Sequence, residues 1–382
     1  MEIIKRKLQK HIEEKLFKGK VIILLGARQV GKTTLVKEIL KGKDYLFLNC
    51  DEPDIRKALS NRTSTELKSL IRDHKLVFID EAQRVTNIGL TLKLLNDTFK
   101  DIQIIIAGSS SFELANEIEE PLTGRAYEFF LPPLSFQELS SKYSLIELKR
   151  IVEKRIIFGM YPEVVLKDDQ DLLRNIQKNY LYKDILKHDN IRKPELLEKL
   201  LQALALQIGS EVSYNELSKL LDVDKTTVQN YISILEKAFI VFKLKPYCMN
   251  KGIELRKLRK IYFYDTGIRN ALINNFNSLD LRNDKGALWE NFLISERIKR
   301  NINQNKHINH YFWRTYAQKE IDYLEEINNV LFGYEFKFSL KKKSSSKPLK
   351  ALYKDASYTV INKNNFLDFI LDQKELKQLS LY

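Results

Sequence analysis

The chain has 382 residues, of which 44% are hydrophobic and 30% charged, with a net charge of +14. That is long enough for two or three domains with separate cores, and too apolar for a disordered chain. Two distant cysteines, Cys50 and Cys248, argue against a disulfide framework, and the charged segment Met1–Lys10 lacks the apolar core of a signal peptide. That cysteine usage fits a reducing cytoplasm, and no apolar run approaches the ~20 residues that span a bilayer, so no membrane segment is expected. From Lys251 onward 24 Lys and Arg stand against 15 Asp and Glu. That asymmetry favours a polyanionic partner, nucleic acid first, or else a solvated basic face.

Residues 3–19 mix apolar and basic positions at helical spacing and predict a helix leading into a strand at Val21–Leu25. Gly26-Ala-Arg-Gln-Val-Gly-Lys-Thr33 follows, and then a helical pattern through Leu40. Strand, glycine loop and helix turn GxxxxGK[ST] into a phosphate-binding loop. Gly26 and Gly31 allow backbone N–H groups to face an anion, and the next helix adds its own unpaired N–H groups. The expected cradle is Gly26, Ala27, Arg28, Gln29, Val30, Gly31, Lys32, Thr33 and Thr34. Lys32 would reach the β- and γ-phosphates of ATP, and Thr33 would offer a hydroxyl to Mg²⁺.

Tyr45–Leu48 predicts a second strand and Ser64–Arg72 a helix. Leu76-Val-Phe-Ile-Asp-Glu81 then runs four apolar residues into two carboxylates, as a buried parallel strand opening on an active site would. Asp80 is the expected Mg²⁺ partner, and Glu81 would polarise the water that attacks the γ-phosphate. Ile102–Ser111 predicts another strand entering small polar residues, and Arg125 precedes a fifth strand ending before Pro132-Pro133. Arg125 reads either as an arginine finger, acting in cis or from a neighbouring subunit, or as a structural ion-pair partner.

These motifs resemble a prokaryotic family of AAA+-type P-loop ATPases with a C-terminal domain of unassigned function. The resemblance rests on residues 26–34, Ile-Asp-Glu-Ala-Gln (79–83), Ala-Gly-Ser-Ser-Ser (107–111) and Leu-Thr-Gly-Arg (122–125). It continues through Pro-Leu-Ser-Phe (133–136) and Gly-Met-Tyr-Pro-Glu-Val (159–164), where the family usually has a second glycine in place of Met160. Further matches are residues 180–185, Tyr-Asp-Thr-Gly (264–267) and Gly-Ala-Leu-Trp-Glu-Asn (286–291). The resemblance implies ATP binding and hydrolysis, with Ser109 (Ser110 second) as the polar residue that helps place the attacking water or contacts the γ-phosphate; the alternative is a serine-rich loop capping the next helix.

Residues 196–247 read as a winged helix: Leu196–Ile208, Tyr214–Leu221 capped by Ser213, a third helix Lys225–Ala238, and a wing strand Phe239–Tyr247. The third helix would offer Lys225, Thr226, Thr227, Gln229 and Asn230 to DNA, unless the module docks a protein instead. In the tail, Glu290 on a helix, Asp322 on a strand, and Glu335 and Lys337 on one face of the next strand follow the PD-(D/E)XK nuclease order. Three carboxylates could hold one or two divalent metals there. Lys341–Lys347 reads as a solvated loop, and His307 and His310 lack further ligands for zinc.

The expected fold class is α/β: a P-loop NTPase parallel-sheet core, a mostly helical winged helix, and an α/β nuclease-like domain. The expected domains are 1–165, 166–250 and 251–382. The expected function is a Mg-ATP-binding ATPase coupled to a part that acts on DNA. The alternatives are an ATP-gated metal-dependent nuclease and a non-cutting switch that binds DNA or protein. Oligomerisation through Arg125 is an open possibility.

Overall fold

A computed structural model describes residues 3–108, 120–167, 170–180, 193–247, 259–314, 320–339 and 356–379. The chain divides into two compact units. One comprises Lys5–Pro133 with Lys237–Phe239; the other comprises Met1–Ile4, Leu134–Glu236 and Ile240–Tyr382.

The first unit is built on a parallel sheet of order β2-β3-β4-β1-β5. Its strands are β1 Val21–Leu25, β2 Leu46–Asn49, β3 Leu76–Asp80, β4 Gln103–Gly108 and β5 Ala126–Phe130. The three central strands are buried along their whole length, which is why they read as unbroken apolar runs rather than alternating ones. The edge strands β2 and β5 are only partly buried. Helices α1 Leu8–Glu13, α2 Lys32–Leu40, α3 Pro53–Leu59, α4 Ser64–Ile71 and α5 Ile88–Thr98 accompany the sheet. Leu67, Ile71, Leu92 and Leu95 pack with Val77, Ile79, Ile104 and Ile106 in one core. Each such side chain contributes about 1.5–3 kcal/mol on burial.

The expected helix over 3–19 is corrected: only Leu8–Glu13 is helical. Phe17 has φ 57 and Gly19 φ 74, both left-handed, and the Phe17 N–H donates to Gln103 Oε1 at 2.6 Å. A tertiary partner thus takes a backbone donor that helical spacing would have assigned to the helix.

The second unit holds a mixed sheet of order β12-β11-β10-β9-β7-β8-β6. Its strands are β6 Glu211–Val212, β7 Val241–Pro246, β8 Arg259–Phe263, β9 Asn309–Arg314, β10 Glu320–Ile327, β11 Val330–Phe336 and β12 Ser357–Ile361. The expected wing strand is β7, and it pairs in parallel with β9 through Lys245–Tyr311 and Pro246–Phe312. His310 lies in β9.

The helices used below are α6 Leu145–Phe158, α7 Pro194–Leu206, α8 Tyr214–Leu221, α9 Lys225–Lys237, α10 Thr266–Leu272 and α11 Lys285–Asn303. Trp289 and Phe292 of α11 pack with Phe136 and Phe366, the Phe136–Phe292 centroids lying 5.2 Å apart edge to face. A polar stripe of α11 grips the segment Leu134–Gln137: Glu296 accepts from the Phe136 N–H at 2.6 Å, Lys299 donates to the Leu134 carbonyl at 3.1 Å, and Asn303 donates to Ser135 Oγ at 3.0 Å. No helix among the described residues is long and apolar enough to cross a membrane.

Candidate nucleotide site

A parallel sheet gathers the carboxyl ends of its strands at one edge, and there the chain leaves β1 through Gly26 and β3 through Asp80-Glu81. Gly31, at φ 93, makes the left-handed turn into α2. Gly26 is required by crowding, since a Cβ there would stand 2.4 Å from the Leu131 carbonyl oxygen. Lys32 is buried, and its ammonium donates to the Gly26 and Ala27 carbonyls at 3.0 and 2.9 Å. Thr33 Oγ1 donates to Asp80 Oδ2 at 2.7 Å, so hydroxyl and carboxylate meet although 47 residues separate them. Gln29 and Thr34 are exposed, whereas Ala27 and Val30 are buried.

Glu81 stands at φ 53, in left-handed backbone outside the strand, with its N–H on Asp80 Oδ1 at 3.0 Å. Gln83 Nε2 donates to Glu81 Oε2 at 2.6 Å. The expectation named Glu81 but not the amide that holds it. Cys50 lies under this edge, and burial followed by the Asp80 charge pushes its thiol up to about 12, which leaves it unreactive.

A second residue absent from the sequence reading is Arg6. It is buried and donates to the Val30 carbonyl at 2.7 Å and to the Pro132 carbonyl at 2.6 Å, bracing the loop against the exit of β5. Neither bond leaves a periodic signal in sequence.

Arg125 is placed elsewhere. Its carbonyl accepts from the Val21 N–H at the start of β1, at the sheet edge opposite the loop. About 15 Å of strand separates those edges at ~3.3 Å per residue. Its guanidinium donates to Asp97 at 2.9 Å, which holds the Asp97 carboxyl below its ordinary range. The structure therefore brings Lys32, Thr33, Asp80 and Glu81 together and leaves Arg125 apart, in the ion-pair arrangement. Ser109 and Ser110 lie outside the described residues.

In the second unit, Glu290 of α11 does not stand open to a metal. Its carboxylate accepts from Lys260 Nζ at 3.1 Å and from the Tyr262 hydroxyl. Asp322 Oδ2 accepts from the Phe336 N–H at 2.7 Å. Burial and then the Glu290 charge raise Asp322 to about 8. Glu335 accepts from the Tyr358 hydroxyl and pairs with Lys337 at 2.5 Å. Among the described residues no group of three or more His, Cys, Asp or Glu is placed to hold a metal ion. Beside the expected group Glu290, Asp322 and Glu335, the positive charge facing Glu290 is Lys260 of β8.

The comparisons bear on the first unit most directly. A model described as the AAA domain matches residues 18–140. The parallel five-stranded sheet of the amino-terminal unit is that of a P-loop NTPase core. Models of two domains of unknown function match residues 149–279 and 285–380. An uncharacterized protein of Methanocaldococcus jannaschii is 28% identical over 416 aligned positions, covering 98% of this chain and 90% of its own length. An uncharacterized protein of Mycobacterium tuberculosis is 28% identical over 345 positions, covering 88% of this chain and 74% of its own. Among solved structures, the Walker-type ATPase of Pyrococcus abyssi is 16% identical and superposes with a TM-score of 0.47, covering 71% of this chain and 96% of that one.

Proposed function

We propose that this chain hydrolyses ATP with Mg²⁺ at the Gly26–Thr34 loop and couples nucleotide state to its carboxy-terminal unit. The observation that carries the reading is the meeting of Thr33 Oγ1 and Asp80 Oδ2 at 2.7 Å, with Glu81 the next residue along. A hydroxyl and a carboxylate at one point suit a hard, oxygen-binding cation, so the residues present fit Mg²⁺. When bound, that ion would neutralise charge on the phosphates. Lys32, now on two loop carbonyls, is the ammonium that would turn to the phosphate oxygens. Glu81 would accept the proton of the attacking water, held in aim by Gln83.

The carboxy-terminal partner in this reading is DNA, contacted by α9. Its neighbour α8 is capped by Ser213 and ends at Asp222 in left-handed backbone, as a helix-turn-helix needs. On α9, Lys225, Thr226, Gln229 and Asn230 are exposed, while Val228 and Ile232 face the core. Thr227 takes a different part: Asp224 accepts from its N–H at 2.8 Å and its hydroxyl at 2.7 Å, so it closes the helix start instead.

Turnover measured with and without duplex DNA tests both halves. Glu81→Gln should retain ATP binding and lose hydrolysis; ordinary turnover in that variant reassigns the base. DNA should stimulate turnover and bind with an affinity that falls steeply with salt, and Gln229→Ala with Asn230→Ala should weaken it. Absence of DNA binding at low salt would remove the DNA half and leave the ATPase half standing.

A further inference from the structure

The edge of the first unit's sheet that lies opposite the nucleotide loop holds a cavity of about 380 Å³. Three lysines from separate segments line it: Lys20 just before β1, Lys75 just before β3, and Lys100 in the turn before β4. Asp101 is the one carboxylate in the lining. Lys75 is exposed. Lys20 holds its ammonium over the Tyr127 ring at 5.1 Å, and Lys100 donates to the Asn96 carbonyl at 3.0 Å, both attachments that an anion can displace. The acid near Lys100, Asp97 at 3.9 Å, is already taken up by Arg125 at 2.9 Å. Three ammoniums against one carboxylate leave a charge of about +2, which matches a phosphate monoester of about −1.5 to −2 at neutral pH.

A second observation lies at the mouth of the cavity. Phe17 sits in left-handed backbone at φ 57, a strained state for a bulky residue, yet it is 55% exposed. Gln103, buried at the start of β4, holds that turn in place. It accepts from the Phe17 N–H at 2.6 Å and donates to the Lys20 carbonyl at 3.1 Å. One buried amide thus sets an exposed aromatic ring and a lysine against the same cavity, and strain held in this way clusters at ligand clamps. We propose that the cavity binds a nucleoside 5′-monophosphate, its phosphate among Lys20, Lys75 and Lys100 and its base against Phe17. A ring stacks on any base, so the site takes all four. Its volume lies toward the lower end of ligand pockets, about 300–1,000 Å³, and suits one nucleotide rather than a strand. The site is separate from the Gly26–Thr34 loop, because β1 carries Lys20 at one end and the loop at the other, about 15 Å of strand apart.

Equilibrium dialysis of AMP, GMP, CMP and UMP against the full chain tests this, with Lys32→Ala in every sample to disable the nucleotide loop. All four should bind, and Lys75→Glu should lower their affinity at least tenfold. Phe17→Ala should lower it about tenfold while leaving the weaker binding of inorganic phosphate unchanged. Urea midpoints check that both variants stay folded; should Phe17→Ala fail to fold, Lys75→Glu decides alone. Binding by none of the four overturns the proposal, as does binding that the folded variants leave unaltered. Inorganic phosphate bound as tightly as the nucleotides would overturn it too, since the ring then adds nothing. An oligoribonucleotide bound far more tightly than its monomers would replace the pocket with a track for a single strand.

Discussion

The Met160 N–H donates to Asp265 Oδ2 at 2.6 Å across 105 residues of chain. The same carboxylate, through Oδ1, accepts from the Ile268 N–H at 3.0 Å and so caps α10. Gly159 lies against it: a Cβ there would stand 2.0 Å from Asp265 Oδ1, and one on Gly267 would stand 2.4 Å from the Phe158 carbonyl oxygen. The two motifs Gly159–Val164 and Tyr264–Gly267 are therefore halves of one interlock. Asn270 extends it by donating to the Ile156 and Ile157 carbonyls at the end of α6.

Gly159→Ala should be among the most damaging single substitutions in the second unit. Overpacking of about 1–3 kcal/mol adds to about 1–2 kcal/mol for a Cβ in left-handed backbone, here φ 75. Urea unfolding should show a lower midpoint at unchanged slope. A loss below about 1 kcal/mol would mean that Asp265 moves aside freely.

Arg6→Met should weaken ATP binding from outside the loop. The guanidinium ties the Val30 carbonyl to the Pro132 carbonyl, and charged hydrogen bonds of this sort contribute about 1.5–3 kcal/mol each. About tenfold loss of ATP affinity corresponds to 1.4 kcal/mol of that brace reaching the site. Titration with fluorescent ATP measures it; unaltered affinity in a less stable protein would confine Arg6 to folding.

If Glu81 is the base proposed above, Gln83→Ala should lower kcat about tenfold while leaving KM close to its original value, since the amide donates to the Glu81 carboxylate at 2.6 Å and would hold it in aim. Gln83→Glu should be worse than Gln83→Ala, because it sets a like charge against Glu81. Steady-state turnover decides, and a KM effect without a kcat effect would remove Gln83 from this role.

Asp322→Asn should change how stability depends on pH. In the folded chain Asp322 stays protonated up to about 8, against 3.8 for an ordinary aspartate. Between those values the folded state holds a proton that the unfolded state has released, so this group makes stability fall as pH rises from about 4 to 8. Asparagine keeps the acceptor for the Phe336 N–H and cannot ionise. The variant's midpoint should therefore exceed the parent's at pH 8 and converge with it near pH 4. Parallel curves would show that Asp322 ionises normally.

The nucleotide loop was legible because its signals are local. Gly26 and Gly31 five residues apart, an apolar run before them and a helical pattern after them need no knowledge of the rest of the chain. The same holds for α8, where Ser213 caps the helix three residues before Glu216 and the predicted span Tyr214–Leu221 is the observed one. The buried strands β1, β3 and β4 announced themselves as continuous apolar runs ending in polar residues.

Sequence alone anticipated the parallel α/β core and most of its strands, and it named Lys32, Thr33, Asp80 and Glu81, the residues that the fold sets at one sheet edge. Tertiary structure decided which charges meet. It put Arg125 at the wrong edge of the sheet to face its own chain's nucleotide, seated Arg6 behind the loop, and brought Lys260 into the carboxylates that had read as a metal centre. The reason is physical. Periodicity reports which face of an element is buried, but an ion pair depends on where two elements end up in space. Glu290 and Lys260 are 30 residues apart in sequence and 3.1 Å apart in the fold, and only the pairing of β8 beside α11 makes the second number follow from the first.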